Sequence, residues 1–114
     1  MSDQSRLLVI WSSRDREIAE RMVFMYTHNS LKFGWWEEVV VLVWGPSAAL
    51  LAEDSKLQAM SVKMQEDGVK FLACKACSDM YGTSEKLKEL GVKVSYMGEP
   101  LTEMLKSGWT TLTF

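Results

Sequence analysis

The sequence has little of what marks several classes of protein. Its 114 residues include two cysteines, two prolines and one histidine. Two cysteines are too few for the disulfide framework of a small secreted domain, so we expect a reducing, cytoplasmic setting. No repeat, low-complexity stretch or proline-rich linker divides the chain. We therefore expect a single domain over residues 1–114.

The sequence also has no strong excess of charge of either sign and no long apolar run. The 13 Lys and Arg residues against 15 Asp and Glu residues leave a formal net charge of −2, with no block of either sign. Nucleic acid therefore has no electrostatic footprint to bind. The first apolar run, Leu7–Trp11, is too short for a signal peptide and far too short to cross a bilayer. We expect neither nucleic acid nor a membrane as a partner.

What remains is a chain with enough apolar residues to bury a core. They make up 47% of the sequence and include five Trp and eight Met. Short apolar runs alternate with segments of helical periodicity along the whole chain. We predict five strands, at residues 6–11, 38–44, 69–74, 92–96 and 109–114. We predict helices at residues 15–29, 47–54, 55–66, 75–91 with a break at Gly82, and 99–107.

This alternation predicts a mainly parallel sheet with helices on both faces. The expected fold class is α/β, a three-layer α/β/α arrangement around a five-stranded sheet, similar in general architecture to flavodoxin-like folds. In such sheets, binding sites form outside the carboxyl ends of the strands. Those ends lead here into residues 12–13, 44–47, 74–77 and 97–99. Which of these are neighbours depends on the strand order.

The first predicted helix, residues 15–29, has a predicted buried face and a predicted cap. Ile18, Met22, Met25 and Tyr26 share one helical face, and methionines at this spacing are expected to fill the core. Ser13 is expected to cap the helix through its hydroxyl oxygen.

Two adjacent tryptophans, Trp35 and Trp36, fall in the loop after the first helix. Large aromatic side chains in a connection either fold back onto a helix or contact another subunit. For a chain so rich in aromatic residues, we expect a homo-oligomer.

The segment VKFLACKACSDMYG, residues 69–82, holds both cysteines in a C-x-x-C spacing. A structural zinc site needs four Cys or His ligands. The chain has only Cys74, Cys77 and His28, so no metal is expected, and His28 is expected to be at the surface or half-buried. A thioredoxin-like redox pair is the usual meaning of C-x-x-C beside a βαβ pattern. Here the pair follows the third strand with no Trp before it, and this alternative stays open.

Cys74 is a candidate nucleophile because it stands where a strand passes into a helix. Backbone N–H groups and the positive end of the helix dipole favour the thiolate, which is the reactive form of cysteine. Lys75 adds a neighbouring cation. Cys77, about one turn later, is a candidate to resolve a sulfenate or persulfide on Cys74, and the alternative for both cysteines is plain core packing. This chemistry requires no cofactor.

The residues GPS follow the second strand and open a helix. Helix N-termini can bind anions, but the spacing is not that of a phosphate loop, and such a corner is most simply a turn. Its place at a strand end makes Trp44, Gly45 and Pro46 candidates for the wall of a substrate pocket at Cys74. Ser12, after the first strand, is another candidate for substrate binding.

The same cysteine segment, followed by SEKLKELGVKVSYMGEPLTEMLKSGWTTLTF, resembles the DsrE/DsrF-like family. These are small α/β domains related to sulfur-relay subunits of tRNA thiolation and of dissimilatory sulfur metabolism. The resemblance covers most of the chain, with further matches in the opening strand and in WGPSAALL. In the family pattern a strand ends in a cysteine within A-C-x-x-[CS/A], a helix follows, and a Gly ends that helix. Cys74 matches the persulfide-carrying cysteine, and Cys77 matches a cysteine of some subgroups.

The resemblance implies a sulfur carrier or sulfurtransferase that holds sulfane sulfur as a persulfide on Cys74, with Cys77 as a second catalytic thiol. It also implies sulfur donor and acceptor proteins as partners. Family members typically form oligomers, so a trimer or hexamer is expected. Two alternatives remain: a non-catalytic oligomeric binding or assembly module of the same fold, and a dithiol redox protein.

Overall fold

The computed structural model describes residues 5–114 and contains one sheet of five parallel strands. The strands are β1 (Arg6–Trp11), β2 (Glu38–Val43), β3 (Lys70–Cys74), β4 (Lys93–Ser95) and β5 (Thr110–Thr113). They lie in the order β4-β3-β2-β1-β5, and each neighbouring pair is parallel. The predicted α/β fold with a five-stranded sheet is confirmed. Residues 1–4 of the predicted domain lie outside the described residues.

Helices connect the strands. The first helical stretch has three parts, namely α1 (Arg16–Ile18), a π-helical segment (Ala19–Phe24) and α2 (Met25–Lys32). The others are α3 (Ser47–Glu53), α4 (Ser55–Glu66), α5 (Lys75–Met80), α6 (Ser84–Glu89) and α7 (Gly98–Lys106). The predicted break at Gly82 is confirmed, because this glycine separates α5 from α6 at a φ of +70°. Within residues 5–114, no helix is long and apolar enough to span a membrane.

The two faces of the sheet are covered unequally. The steps from β1 to β4 all move in one direction across the sheet, whereas β5 returns to the far side of β1. Because parallel crossovers are right-handed, α1 to α6 lie on one face and α7 alone lies on the other. We call the first the thick face, with Val9 and Val41 in its core, and the second the thin face, with Leu8 and Leu42. The thick-face core has nineteen buried residues and the thin-face core five, counted over the described chain.

The buried side of the first helical stretch differs from the expectation. Met22 and Met25, predicted to fill the core, are 48% and 51% exposed. The buried residues are Ala19, Val23, Phe24, Thr27 and Ser30. Ala19, Val23, Thr27 and Ser30 keep a regular helical spacing, so the buried stripe is the one next to the predicted stripe.

The cap of this helix is also different from the predicted one. The side chain of Asp15, rather than Ser13, accepts hydrogen bonds from the N–H groups of Glu17 and Ile18. The Ser13 hydroxyl instead accepts a hydrogen bond from the Asp15 N–H at 3.0 Å. Aspartate is as good a cap as serine, so local preference did not distinguish the two positions.

The adjacent tryptophans have different environments. Trp36 folds back, packs against the thick-face core, and donates a hydrogen bond from Nε1 to the Tyr26 hydroxyl at 3.1 Å. Trp35 is 57% exposed. Trp36 therefore folds back into the core, whereas Trp35 lies at the surface beside the Tyr26 ring of α2.

Candidate functional site

Both cysteines lie at the carboxyl edge of the sheet, where β3 passes into α5. Cys74 is the last residue of β3 and pairs with Ser95 of β4. Strand alternation directs its side chain to the thin face, where it packs against the core that contains Leu42. Cys74 and Cys77 are free thiols, and both are half-buried. The site is therefore neither sealed in the core nor fully open to solvent.

Cys74 is also the residue that caps α5. Its backbone is extended, with φ −74° and ψ 116°, and its side chain makes no capping hydrogen bond. At this position Cys74 directly precedes the first N–H groups of the helix, which carry the positive end of the helix dipole. The predicted position between strand and helix is confirmed, and its role as a nucleophile stays a prediction.

Cys77 lies one turn into α5 and faces the end of β2. Burial raises the pKa of its thiol above the ordinary value, and the neighbouring Cys74 thiol raises the pKa further. Hydrogen bonds from the Gly45 N–H and the Trp44 side chain act in the opposite direction and lower the pKa. Burial has the largest effect, so Cys77 is held as a thiol rather than a thiolate. Trp44 and Gly45 are thus neighbours of the cysteine pair through Cys77.

Lys75, the first residue of α5, has two partners for its charge. Its Nζ lies 2.6 Å from Oδ2 of Asp79 and 5.4 Å from the centroid of the Tyr96 ring. The hydrogen bond with Asp79 raises the pKa of Lys75, so its side chain remains a cation. The expected cation beside Cys74 is therefore present in the sequence, but it is engaged by a carboxylate and an aromatic ring.

The corner between β2 and α3 is held by its own hydrogen bonds. Gly45 has a φ of +71°, a conformation that favours glycine. The buried hydroxyl of Ser47 donates to the carbonyl oxygens of Trp11 and Trp44. These bonds fix the turn that carries Trp44 and Gly45 to Cys77. Pro46 is the cap residue of α3, and its place in a pocket wall stays a prediction.

Ser12 is not brought to the cysteines. It follows β1, and β2 lies between β1 and β3, which corresponds to a separation of about 10 Å across two strand spacings. Its hydroxyl donates to the carbonyl oxygen of Phe114 at 3.0 Å, and its N–H donates to the same atom at 2.7 Å. In this structure Ser12 joins the ends of β1 and β5, and its role in substrate binding stays a prediction.

His28 lies near the amino ends of the strands, at the end of the sheet opposite to the cysteines. It is half-buried, as expected, and its Nε2 lies 2.7 Å from Oδ2 of Asp67, at the end of α4. The hydrogen bond with His28 lowers the pKa of Asp67. Residues 5–114 contain no group of three or more His, Cys, Asp or Glu side chains arranged to hold a metal ion.

The sequence did not indicate Tyr96 and Ser95 as site residues. Cys74 pairs with Ser95, and the Tyr96 ring lies under the Lys75 ammonium group. Sites in parallel sheets lie outside the carboxyl ends of the strands, and β4 ends at Ser95, directly before Tyr96. The strand was predicted to end at residue 96, so the same rule selected residues 97–99 instead.

A second surface feature lies on the outer side of the first helical stretch and its loop. Met22, Met25, Tyr26, Phe33 and Trp35 are all exposed, and we call them the Met–aromatic patch. The Trp35 ring centroid lies 6.1 Å from that of Tyr26 and 5.7 Å from that of Phe33. A groove of about 380 Å³ is lined by Arg21, Met22, Met25, Tyr26, Asn29, Trp35 and Phe114.

Comparisons with known structures give close matches over the full length. The chain is 34% identical to BT1422, a conserved protein of unknown function from Bacteroides thetaiotaomicron, with a TM-score of 0.96 over 100% of this chain and 98% of that chain. MTH1491 from Methanobacterium thermoautotrophicum, also of unknown function, matches at 20% identity with a TM-score of 0.76, over 96% of this chain and 99% of that chain. The ychN protein of E. coli matches at 14% identity with a TM-score of 0.73 and the same coverage. These last two show a shared fold.

The family comparison extends over nearly the whole chain. No curated protein matches the sequence significantly. The model of the DsrE/DsrF-like family matches residues 9–114, a range that contains both cysteines and all five strand ends. The resemblance predicted from the sequence is confirmed, and the chain belongs to the DsrE/DsrF-like family.

Proposed function

We propose that this protein is a sulfur carrier in which Cys74 accepts sulfane sulfur as a persulfide and passes it to an acceptor thiol. The observation that carries the proposal is a half-buried free thiol at a strand end and helix start, beside a second thiol, in a chain of the DsrE/DsrF-like family. Membership in the family supports a sulfur-relay type of role. The assignment of that role to Cys74 is our own.

The transfer has two balanced steps. The Cys74 thiolate attacks the terminal sulfur of a donor persulfide, a new S–S bond forms, and the donor leaves as a thiolate. An acceptor thiolate then attacks the terminal sulfur on Cys74, takes it as a persulfide, and releases the Cys74 thiolate. No net oxidation occurs in either step. The chemistry requires thiols alone, from a donor protein on one side and an acceptor protein on the other.

The surroundings of Cys74 favour a protein thiol as partner. The exposed aromatic side chains Trp44 and Tyr96 lie on the two sides of the cysteine pair, with Trp44 against Cys77 and Tyr96 under Lys75. Exposed aromatic residues are enriched where proteins contact each other. A donor or acceptor segment that brings its own cysteine would bury these rings when it docks.

We also propose that the protein is a cytoplasmic homo-oligomer, a trimer or hexamer of one domain per chain. The Met–aromatic patch supports this proposal, because five large apolar side chains are exposed side by side on one surface. Contiguous apolar surface of this kind is characteristic of interfaces between proteins.

The sulfur-carrier proposal is tested by loading. The reduced protein, Cys74→Ser and Cys77→Ser are each incubated with a persulfide donor, and the intact masses are measured. We expect a gain of about 32 Da, the mass of one sulfur atom, in the natural chain and in Cys77→Ser. We expect none in Cys74→Ser.

Other outcomes identify the alternatives. If no variant gains mass, the chain is better described as a binding or assembly module. If the two thiols lose their protons together and show a defined dithiol potential without a persulfide, the dithiol redox alternative is favoured. Far-UV circular dichroism of each variant confirms that the serine substitutions leave the fold intact.

A further inference from the structure

The two cysteines occupy a pair of positions that face each other at the start of a helix. Cys74 is the cap residue of α5 and Cys77 is the third residue of that helix. In a capping box, side chains at these positions reach across the first turn toward each other. Residues three apart on a helix have Cβ atoms about 5–6 Å apart, and a modest adjustment brings such a pair to disulfide geometry. The two side chains are close enough for the Cys74 thiol to raise the pKa of Cys77.

Two residues that follow β2, Trp44 and Gly45, lie beside Cys77. The Gly45 N–H and the Trp44 side chain both donate hydrogen bonds to its sulfur. Donors of this kind stabilise a negative charge that develops on the sulfur when its proton leaves. Because the Ser47 hydroxyl bonds the carbonyl oxygens of Trp11 and Trp44, the corner that carries both donors is fixed in place.

We infer that Cys77 discharges a persulfide formed on Cys74, and that Trp44 and Gly45 position it for this step. The inference rests on the proposed function, because it needs a loaded Cys74. The Cys77 sulfur attacks the inner sulfur of the Cys74 persulfide, the Cys74–Cys77 disulfide forms, and the terminal sulfur leaves as hydrosulfide with the proton of Cys77. The sulfane sulfur is reduced to sulfide while the two cysteine sulfurs are oxidised. No external oxidant is needed.

The consequence is a limited lifetime for the loaded carrier. An acceptor that docks before the discharge takes the terminal sulfur as a persulfide. When no acceptor docks, Cys77 displaces that sulfur as hydrosulfide. Burial keeps Cys77 protonated at rest and so slows the discharge, which leaves time for transfer. A dithiol reductant then restores the two free thiols.

The test follows the fate of the loaded protein. The natural chain and Cys77→Ser are loaded with a persulfide donor, freed of excess donor, and followed by intact mass and by trapping of released sulfide. We expect the natural chain to lose about 34 Da from its loaded mass, as hydrogen sulfide, and to end about 2 Da below its reduced mass, with one sulfide released per chain. We expect Cys77→Ser to keep its persulfide at least about tenfold longer.

Three results would overturn the inference. Equal persulfide lifetimes in the natural chain and in Cys77→Ser would remove any role for Cys77. A sulfur atom that only moves to Cys77 would keep the added mass and release no sulfide. Failure of every variant to load would overturn the sulfur-carrier proposal and the discharge with it, whereas loading without discharge contradicts the discharge alone. Cys77→Ala serves as a second variant in case Cys77→Ser is poorly folded.

Trp44 provides an independent check as a positioning residue. Trp44→Phe removes the indole N–H and keeps an aromatic ring at the corner. We expect the discharge of a loaded Cys74 to slow severalfold, because Cys77 ionises less readily without this donor. Trp109→Phe is the matched control, since it removes the indole N–H of a tryptophan that directly precedes β5 and packs against the thin-face core, and its loaded form should discharge like the natural chain. Equal discharge in both variants would contradict the role of Trp44.

Discussion

The thick and thin faces of the sheet differ in how much apolar surface they bury and in how accessible they leave the cysteine site. Within residues 5–114, the thick face packs six of the seven α-helices against nineteen buried residues, whereas the thin face has α7 and five buried residues. A well-covered face stabilises the fold through burial of apolar surface. A thinly covered face leaves partly accessible positions, and Cys74 occupies one of them. The comparison indicates that stability is concentrated on one face and access to the site on the other.

The cysteine pair connects these two faces. Cys74 belongs to β3 and directs its sulfur to the thin face, while Cys77 belongs to α5 and contacts the corner after β2. The two thiols therefore lie close together but belong to different elements. Burial raises the pKa of Cys77, in keeping with its position among the helices of the thick face.

The largest expected effect tests the difference in burial between the faces. Leu57→Ala on α4 removes a side chain with no exposed surface from the thick face, and Leu101→Ala on α7 does the same for a side chain that is 8% exposed on the thin face. We expect the free energy of unfolding to fall by about 3 kcal/mol for Leu57→Ala and about 2 kcal/mol for Leu101→Ala. Urea titration of each variant measures this difference. An equal or larger loss at Leu101 would mean that α7 is the critical helix and would reverse the comparison.

A smaller effect is expected on the outer surfaces. Trp35→Lys places a charge in the Met–aromatic patch, and Leu105→Lys places one on the outer side of α7, where Leu105 is 49% exposed. We expect Trp35→Lys to weaken self-association about thirtyfold, or about 2 kcal/mol, and Leu105→Lys to have little effect. Light scattering over a concentration series gives the mass of each species. A natural chain that is monomeric at all concentrations would exclude the proposed oligomer.

The smallest effect concerns the chemical difference between the two thiols. Because the pKa of Cys77 is raised, a smaller fraction of it is thiolate at a given pH, so its alkylation should be slow near neutral pH and should accelerate at alkaline pH. Trp44→Phe should move the profile of Cys77 to still higher pH, because a donor that lowers the pKa is lost. Cys74→Ser should move it to lower pH, because the neighbouring thiol raises it. Peptide mass spectrometry after timed iodoacetamide treatment resolves both cysteines, and an unshifted profile in both variants would contradict this account.

Much of the architecture could be predicted because it depends on local patterns. Continuous apolar runs such as β2 (Glu38–Val43) are buried on both sides, which is characteristic of parallel strands, and their boundaries were predicted to within one or two residues. The first helical stretch was located but its buried side was wrong at Met22 and Met25. Two neighbouring stripes of this segment both fit a regular period of 3.6 residues, and only contacts with the rest of the fold decided which one is buried.

The candidate site was predictable in part. The strand-end rule selected Cys74 and the corner at Trp44 and Gly45, which the structure brings next to Cys77. The same rule selected Ser12, which the strand order places two strands away. Tyr96 was missed because β4 is one residue shorter at its end than its apolar pattern indicates.

The sequence by itself determined the fold class, the family and the position of Cys74 at a strand end, because each follows from residues close together in the chain. Only the tertiary structure decided which strand ends are neighbours, which face carries Cys74, and how Cys77 ionises. It also paired His28 with Asp67, which lies 39 residues away. The physical reason is that strand order and burial depend on contacts between distant residues, and the pKa of a thiol depends on the donors and burial that those contacts create.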